Sequence, residues 1–130
     1  AGTTSYGTSD VTVDLDTNVR SSSRFSLTSS EVVYAGADAF IATVTATISA
    51  ASTATRSWHE VVLEHWDGST WNTLQRAANY ERTTVDQASA TVSAIVSLDD
   101  GDKLRVRVRS NFTGGVTIAG GSNITVFGVA

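Results

Sequence analysis

The chain has 130 residues, a net charge of −4, and no Cys, Pro or Met. That length suits one domain with its own core. The missing Cys excludes disulfides and thiolate chemistry, and the acidic balance argues against general nucleic-acid binding. Ser, Thr, Ala and Val make up about half the chain, which favours packed strands with hydroxyl-covered outer faces. No run is long and apolar enough for a membrane span, so no membrane partner is expected. The first ten residues lack the basic and apolar regions of a secretory signal, and Ala1 is read as following a removed initiator Met.

Residues Ala1–Ser9 are small and polar, with Tyr6 as their one large side chain. Alone, such a stretch has nothing to fold around. It is expected to be an N-terminal arm (1–9) ahead of a single domain (10–130), docking on a neighbouring subunit or a platform. Gly2, Thr3, Thr4 and Tyr6 are the expected contacts. Val11, Val13 and Leu15 alternate with polar residues and predict a first strand. Phe25 and Leu27 predict a second, and Val32 to Tyr34 a third. Asp38 to Ala50 predicts a long strand, with Phe40, Ala42, Val44, Ala46 and Ile48 on one face and Ile41, Thr43, Thr45 and Thr47 on the other. Trp58 to Gln75 predicts a hairpin turning at Asp67-Gly68. His59, Val61, Leu63 and His65 share one of its faces; Trp58, Glu60, Val62, Glu64 and Trp66 share the other. Trp66 and Trp71 flank the turn and are placed to pair across the strands. Residues 76–82, including Tyr80, are expected to be a loop.

Ala90 to Arg109 gives the clearest pattern. Ala90, Val92, Ala94, Val96 and Leu98 alternate on one strand, and Leu104, Val106 and Val108 on the next. Asp99-Asp100-Gly101-Asp102 turns between them. The outward row is Lys103, Arg105, Arg107 and Arg109. Gly pairs at 114–115 and 120–121 set off two last strands, Val116 to Ala119 and Ser122 to Val129. No segment carries a helical stripe. About eight to ten short strands with Gly and Asp turns predict an all-β antiparallel fold, a two-sheet sandwich or a barrel.

No constellation of residues predicts an enzyme. His59 and His65 are six positions apart on a strand, about 20 Å at ~3.3 Å per residue, too far to share an ion. Asp14, Asp16 and Asn18 open a D-x-D-x-N calcium pattern, but the later Gly and Glu positions hold Val19 and Phe25. Asp99, Asp100 and Asp102 read as a solvated turn. Asn111-Phe112-Thr113 and Asn123-Ile124-Thr125 match a glycosylation acceptor pattern that has no secretory signal beside it. There is no G-x-S-x-G elbow, and no cofactor is expected. The basic row offers charges for phosphate or a sulfated glycan, or a solvated face paired with Glu60 and Glu64.

The run from Ala90 to Val129 resembles the C-terminal end of tumour necrosis factor-like and complement globular-head-like jelly rolls. The resemblance rests on the Leu-x-x-Gly-Asp turn at Leu98–Asp102, the alternating strand Leu104 to Val108, and a Gly/Ser-rich link to a closing strand with Phe127 near its end. Tyr34 to Phe40 is similar to the aromatic-turn-Gly-x-aromatic segment of those folds. The resemblance implies a jelly roll and a homotrimer, with Phe127, Tyr34, Trp58 and Arg107 as candidate contacts between subunits. Without a leader, anchor or collagen-like stalk in view, it also implies the phage head decoration type. The expected function is that of a virion structural protein, made in the host cytoplasm and bound to the major capsid protein lattice on the head exterior. The alternative is a carbohydrate-binding module or receptor-binding fibre tip, with Trp66, Trp71 and Tyr80 stacking on sugar rings.

Overall fold

In a computed structural model, two antiparallel sheets pack face to face. The structure describes residues 5–6, 11–13, 15, 23–28, 30–52, 57–81, 88–111, 116–118 and 122–128. Eleven strands lie among these residues, and no helix does.

Sheet A is built on β5 (Phe40–Ser52). One edge of β5 pairs with β8 (Ala88–Leu98) along eleven residue pairs. Its other edge is shared by two short strands in tandem. β10 (Val116–Ile118) takes the Ala50 end, and β11 (Asn123–Gly128) takes Ala42 to Thr47. β1 (Ser5–Tyr6) closes that side against β10. Sheet B is built on β9 (Lys103–Ser110) in the same manner. One edge pairs with β6 (Ser57–Trp66), which carries β7 (Trp71–Glu81) beyond it. The other edge is divided between β2 (Val11–Thr12) and β4 (Glu31–Tyr34), with β3 (Phe25–Thr28) outside β4.

The period-two pattern decides which side chains meet. Ala42, Val44, Ala46, Ile48 and Ala50 of β5 and Val92, Val96 and Leu98 of β8 point inward. They meet Val61 and Leu63 of β6 and Leu104, Val106 and Val108 of β9 in one buried cluster. Small residues on β5 let the sheets approach closely, and larger ones on the facing sheet fill the space. At one end the layers are joined by rings. Phe40 of sheet A stacks on Tyr34 of sheet B with centroids 5.5 Å apart, and Phe25 packs edgewise on Phe40 at 5.7 Å.

The turn between β8 and β9 is tied into that end. Gly101 has φ +88°, a conformation that L side chains resist. Its N–H donates to the Tyr34 carbonyl at 2.8 Å, and the Tyr34 N–H donates to the Asp102 carbonyl at 2.9 Å. The buried Asp102 carboxylate accepts from the Asp99 N–H at 3.1 Å and from His65 Nε2 at 2.8 Å. The Asp that ends the Leu-x-x-Gly-Asp run therefore fastens a turn to β6.

Three expectations need correction. Residues 76–81 are strand, not loop: β7 continues to Glu81, with Tyr80 opposite Trp58. The ladder skips a residue at Leu74, where Leu63 faces Gln75 and Glu64 faces Thr73, and this bulge hides the alternation. The arm does not wholly leave its own subunit, because Ser5 and Tyr6 pair with Thr117 and Val116 of the same chain. Gly2, Thr3 and Thr4 lie outside the described residues. Asp102 does not belong to a solvated turn: it is buried and holds His65, which like the buried His59 faces inward. The D-x-D-x-N run also lies outside the described residues.

Candidate functional site

Two outward faces carry the side chains that the core does not use. On sheet A the outward rows follow from the registers of β8, β5 and β11. One row is Ile95–Thr43–Phe127, the next Ser93–Thr45–Thr125, and the next Thr91–Thr47–Asn123. The hydroxyls bond across the strands, Thr45 to Ser93 at 3.1 Å, Thr47 to Thr91 at 3.0 Å and Ser49 to Ser89 at 2.7 Å. At the Phe40 end the ladder gives way to apolar side chains. Ile95 is 69% exposed, Phe127 60% and Ile41 46%. Three large apolar side chains grouped around Thr43 on an otherwise hydroxylated sheet form a small patch suited to a protein contact.

On sheet B the outward face is ionic and aromatic. Glu64 lies between Arg105 and Thr73 in the ladder, and accepts from Arg105 Nε at 2.7 Å. Glu60 accepts from Arg109 Nε at 3.0 Å and from Arg76 Nη1 at 2.9 Å, bridging two cations. Lys103 lies 3.6 Å from Glu31. The same cations cover indole rings. Arg105 sits 3.9 Å above the centroid of Trp71, Lys103 5.9 Å from that of Trp66, and Arg109 5.6 Å from that of Trp58. Val62, between Arg107 and Arg76 in the ladder, is buried although it points away from the core, so the arginine stems cover it.

The sequence-predicted residues do not form one site. Trp66 and Trp71 pair at 5.6 Å. Tyr80 lies opposite Trp58, eight residues along β6 from Trp66, about 26 Å at ~3.3 Å per residue. Of the candidate subunit contacts, Phe127 is on the outward face of sheet A. Trp58 and Arg107 are on that of sheet B, and Tyr34 is buried in its own subunit with its hydroxyl donating to the Asp38 carbonyl at 2.8 Å. Tyr34 is therefore corrected from a contact to a core residue. Gly36 lies so close under its ring that a Cβ there would overlap the hydroxyl. The sequence analysis missed Ile41 and Ile95 as surface anchors, although both break an outward run of Ser and Thr. Among the described residues no three His, Cys, Asp or Glu are grouped to hold a metal ion.

Sheet order and the tandem short strands make this an all-β jelly roll of two antiparallel sheets. Solved structures share that fold. Murine APRIL at pH 5.0 matches with a TM-score of 0.68 and 13% identity, over 97% of this chain and 95% of that one. The Eiger TNF of S. frugiperda matches with a TM-score of 0.65 and 18% identity, over 98% of this chain and 92% of that one. No family model matches the sequence, and no curated protein matches it.

Proposed function

We propose that this protein is a virion structural protein, a homotrimer that decorates the exterior of a phage head. The observation that carries the reading is the apolar patch of Ile41, Ile95 and Phe127 on the outward face of sheet A. A second and third copy of the chain cover it. Closed rotational symmetry repeats one contact around an axis, so a small patch is used three times. The cross-bonded Thr and Ser rows beside it leave few polar groups needing new partners when that face is covered. The fold supports a compact subunit, and a lattice supplies the rest of the affinity through multivalency. The arm is the lattice contact, and its described part lies at the edge of sheet A beside β10.

Light scattering tests the trimer: the expected mass is three times 13.6 kDa. The variant carrying Ile95→Asp and Phe127→Asp is expected to be a folded monomer, since both side chains are exposed in the subunit. Deletion of residues 1–9 is expected to leave the trimer intact and weaken sedimentation with expanded phage heads. A monomeric full-length protein at micromolar concentration ends the trimer reading. Undiminished capsid binding by the truncated protein ends the role given to the arm.

A further inference from the structure

We propose that the outward face of sheet B binds an acidic oligosaccharide, a chain of sugar rings bearing carboxylate or sulfate groups. This goes beyond the trimer and the capsid lattice and depends on neither. Sheet B turns this face away from the core, on the opposite side of the subunit from the apolar patch. Charge is the first argument. Lys103, Arg105, Arg107 and Arg109 of β9 with Arg76 of β7 outnumber the carboxylates of Glu31, Glu60 and Glu64. In a chain of net charge −4 the described residues of this face thus carry a positive excess, which draws an anion there.

The second argument is the interleaving of rings with these cations. Arg105 is held over Trp71 at 3.9 Å while Glu64 grips its Nε. A guanidinium fixed in this way loses little side-chain freedom when it meets an anionic group. Trp66 and Trp71 stand at one end of the face and Tyr80, 51% exposed, opposite Trp58 at the other. The half-exposed Tyr80 ring, and the ring surface that the cations leave open on the half-buried Trp66 and Trp71, offer apolar faces to the C–H faces of sugars. The outward cations of β9 recur every second residue, about 6.7 Å apart. An extended chain lying along the strands would meet rings at both ends and cations between them.

The third argument separates sugars from single-stranded nucleic acid, which also favours rings and cations. Glu60 and Glu64 lie within the cationic array. Carboxylates accept hydrogen bonds from the hydroxyls that sugar rings carry along the whole chain, donors that a phosphodiester backbone of single-stranded DNA lacks.

Titration calorimetry with four probes tests the proposal: a heparin-derived hexasaccharide, a hexagalacturonate, a neutral cellohexaose and a single-stranded oligothymidylate. The expected result is binding of at least one acidic hexasaccharide, weakened by added salt. Which of the two binds assigns the anionic group as sulfate or carboxylate. The neutral chain and the oligothymidylate are expected to bind at least about fivefold more weakly, the loss that removing an interface anchor causes. Arg76 and Tyr80 are both more than half exposed, so the variant carrying R76E and Y80A keeps its fold, which melting checks. It is expected to lose at least about fivefold in affinity for the acidic chain. Failure of both acidic probes overturns the proposal. So does a neutral chain or an oligothymidylate that binds as well, or a variant that loses less than this.

Discussion

At single positions, alternation separates residues that are one step apart. Val106 has no exposed surface, whereas Arg107 next to it lies on the outward face of sheet B. Val106→Asp puts a carboxylate into an apolar core at a cost of several kcal/mol, and no cooperative melting transition is expected. Arg107→Asp removes a stem that covers Val62 and is expected to cost about 1 kcal/mol. Equal loss of melting temperature in the two variants would show that the register is wrong. Asp102 is a sharper case, being acidic, buried and next to a turn. Asp102→Ala strands the Asp99 N–H and His65 Nε2, and its expected cost is about 2–4 kcal/mol by chemical denaturation. Asp100→Ala alters an exposed side chain of the same turn and is expected to be nearly neutral. If both substitutions cost the same, Asp102 does not fasten the turn.

At the scale of elements, the β6–β7 hairpin shows how a turn is stabilised by one side chain. Gly68 has φ +98°, and the exposed Asp67 carboxylate accepts from the N–H groups of Thr70 and Ser69 and from Asn72 Nδ2. The backbone donors of Thr70 and Ser69, with Asn72 and the Ser69 hydroxyl, hold the Asp67 carboxyl well below the usual carboxylate range. A depressed folded-state value means that this contribution is present above the ordinary aspartate value of 3.8 and is lost as pH falls through the lower folded one. Carboxyl carbon shifts followed by NMR are expected to show Asp67 still ionised below pH 3.8, the ordinary aspartate value. A midpoint at that ordinary value would refute the cap. Both hairpin turns were legible because Asp-Gly has a backbone meaning of its own. The second half of β7 was not. Arg76 to Glu81 offers no apolar alternation, and the bulge at Leu74 exchanges its faces. β1 was not legible either, since two residues carry no period and are held only by their partner strand. The stacking of Arg105 on Trp71 depends on a register between strands that are distant in sequence, and neither segment states it alone.

For the whole molecule, an all-β fold was legible because alternation persists in β5, β6, β8 and β9 and breaks at Gly and Asp, while the jelly roll followed only from the resemblance of the run Ala90 to Val129. Its two surfaces were legible only in part. Phe127, Trp66, Trp71 and the basic row stood out as residue types, but which of them share a face follows from sheet order. No trio of metal ligands is grouped among the described residues. EDTA is therefore expected to leave both the melting temperature and the mass in solution unchanged. A fall of many degrees on chelation would place a structural ion in the Asp-bearing turns.

Sheet A is also a problem of timing. β5 is its central strand, yet its long partner β8 and its short partners β10 and β11 all come much later in the chain. A ribosome adding about 5–20 residues per second leaves β5 without any native partner for several seconds. The stretch from Phe40 to Ser52 is uncharged and free of Pro, the composition that joins foreign strand edges most readily. Its Thr and Ala residues limit how adhesive it is while it waits. Slow synthesis prolongs that wait, whereas crowded synthesis multiplies the strangers it meets. The yield of soluble protein should therefore depend more on how many chains emerge together than on the final stability of any one of them.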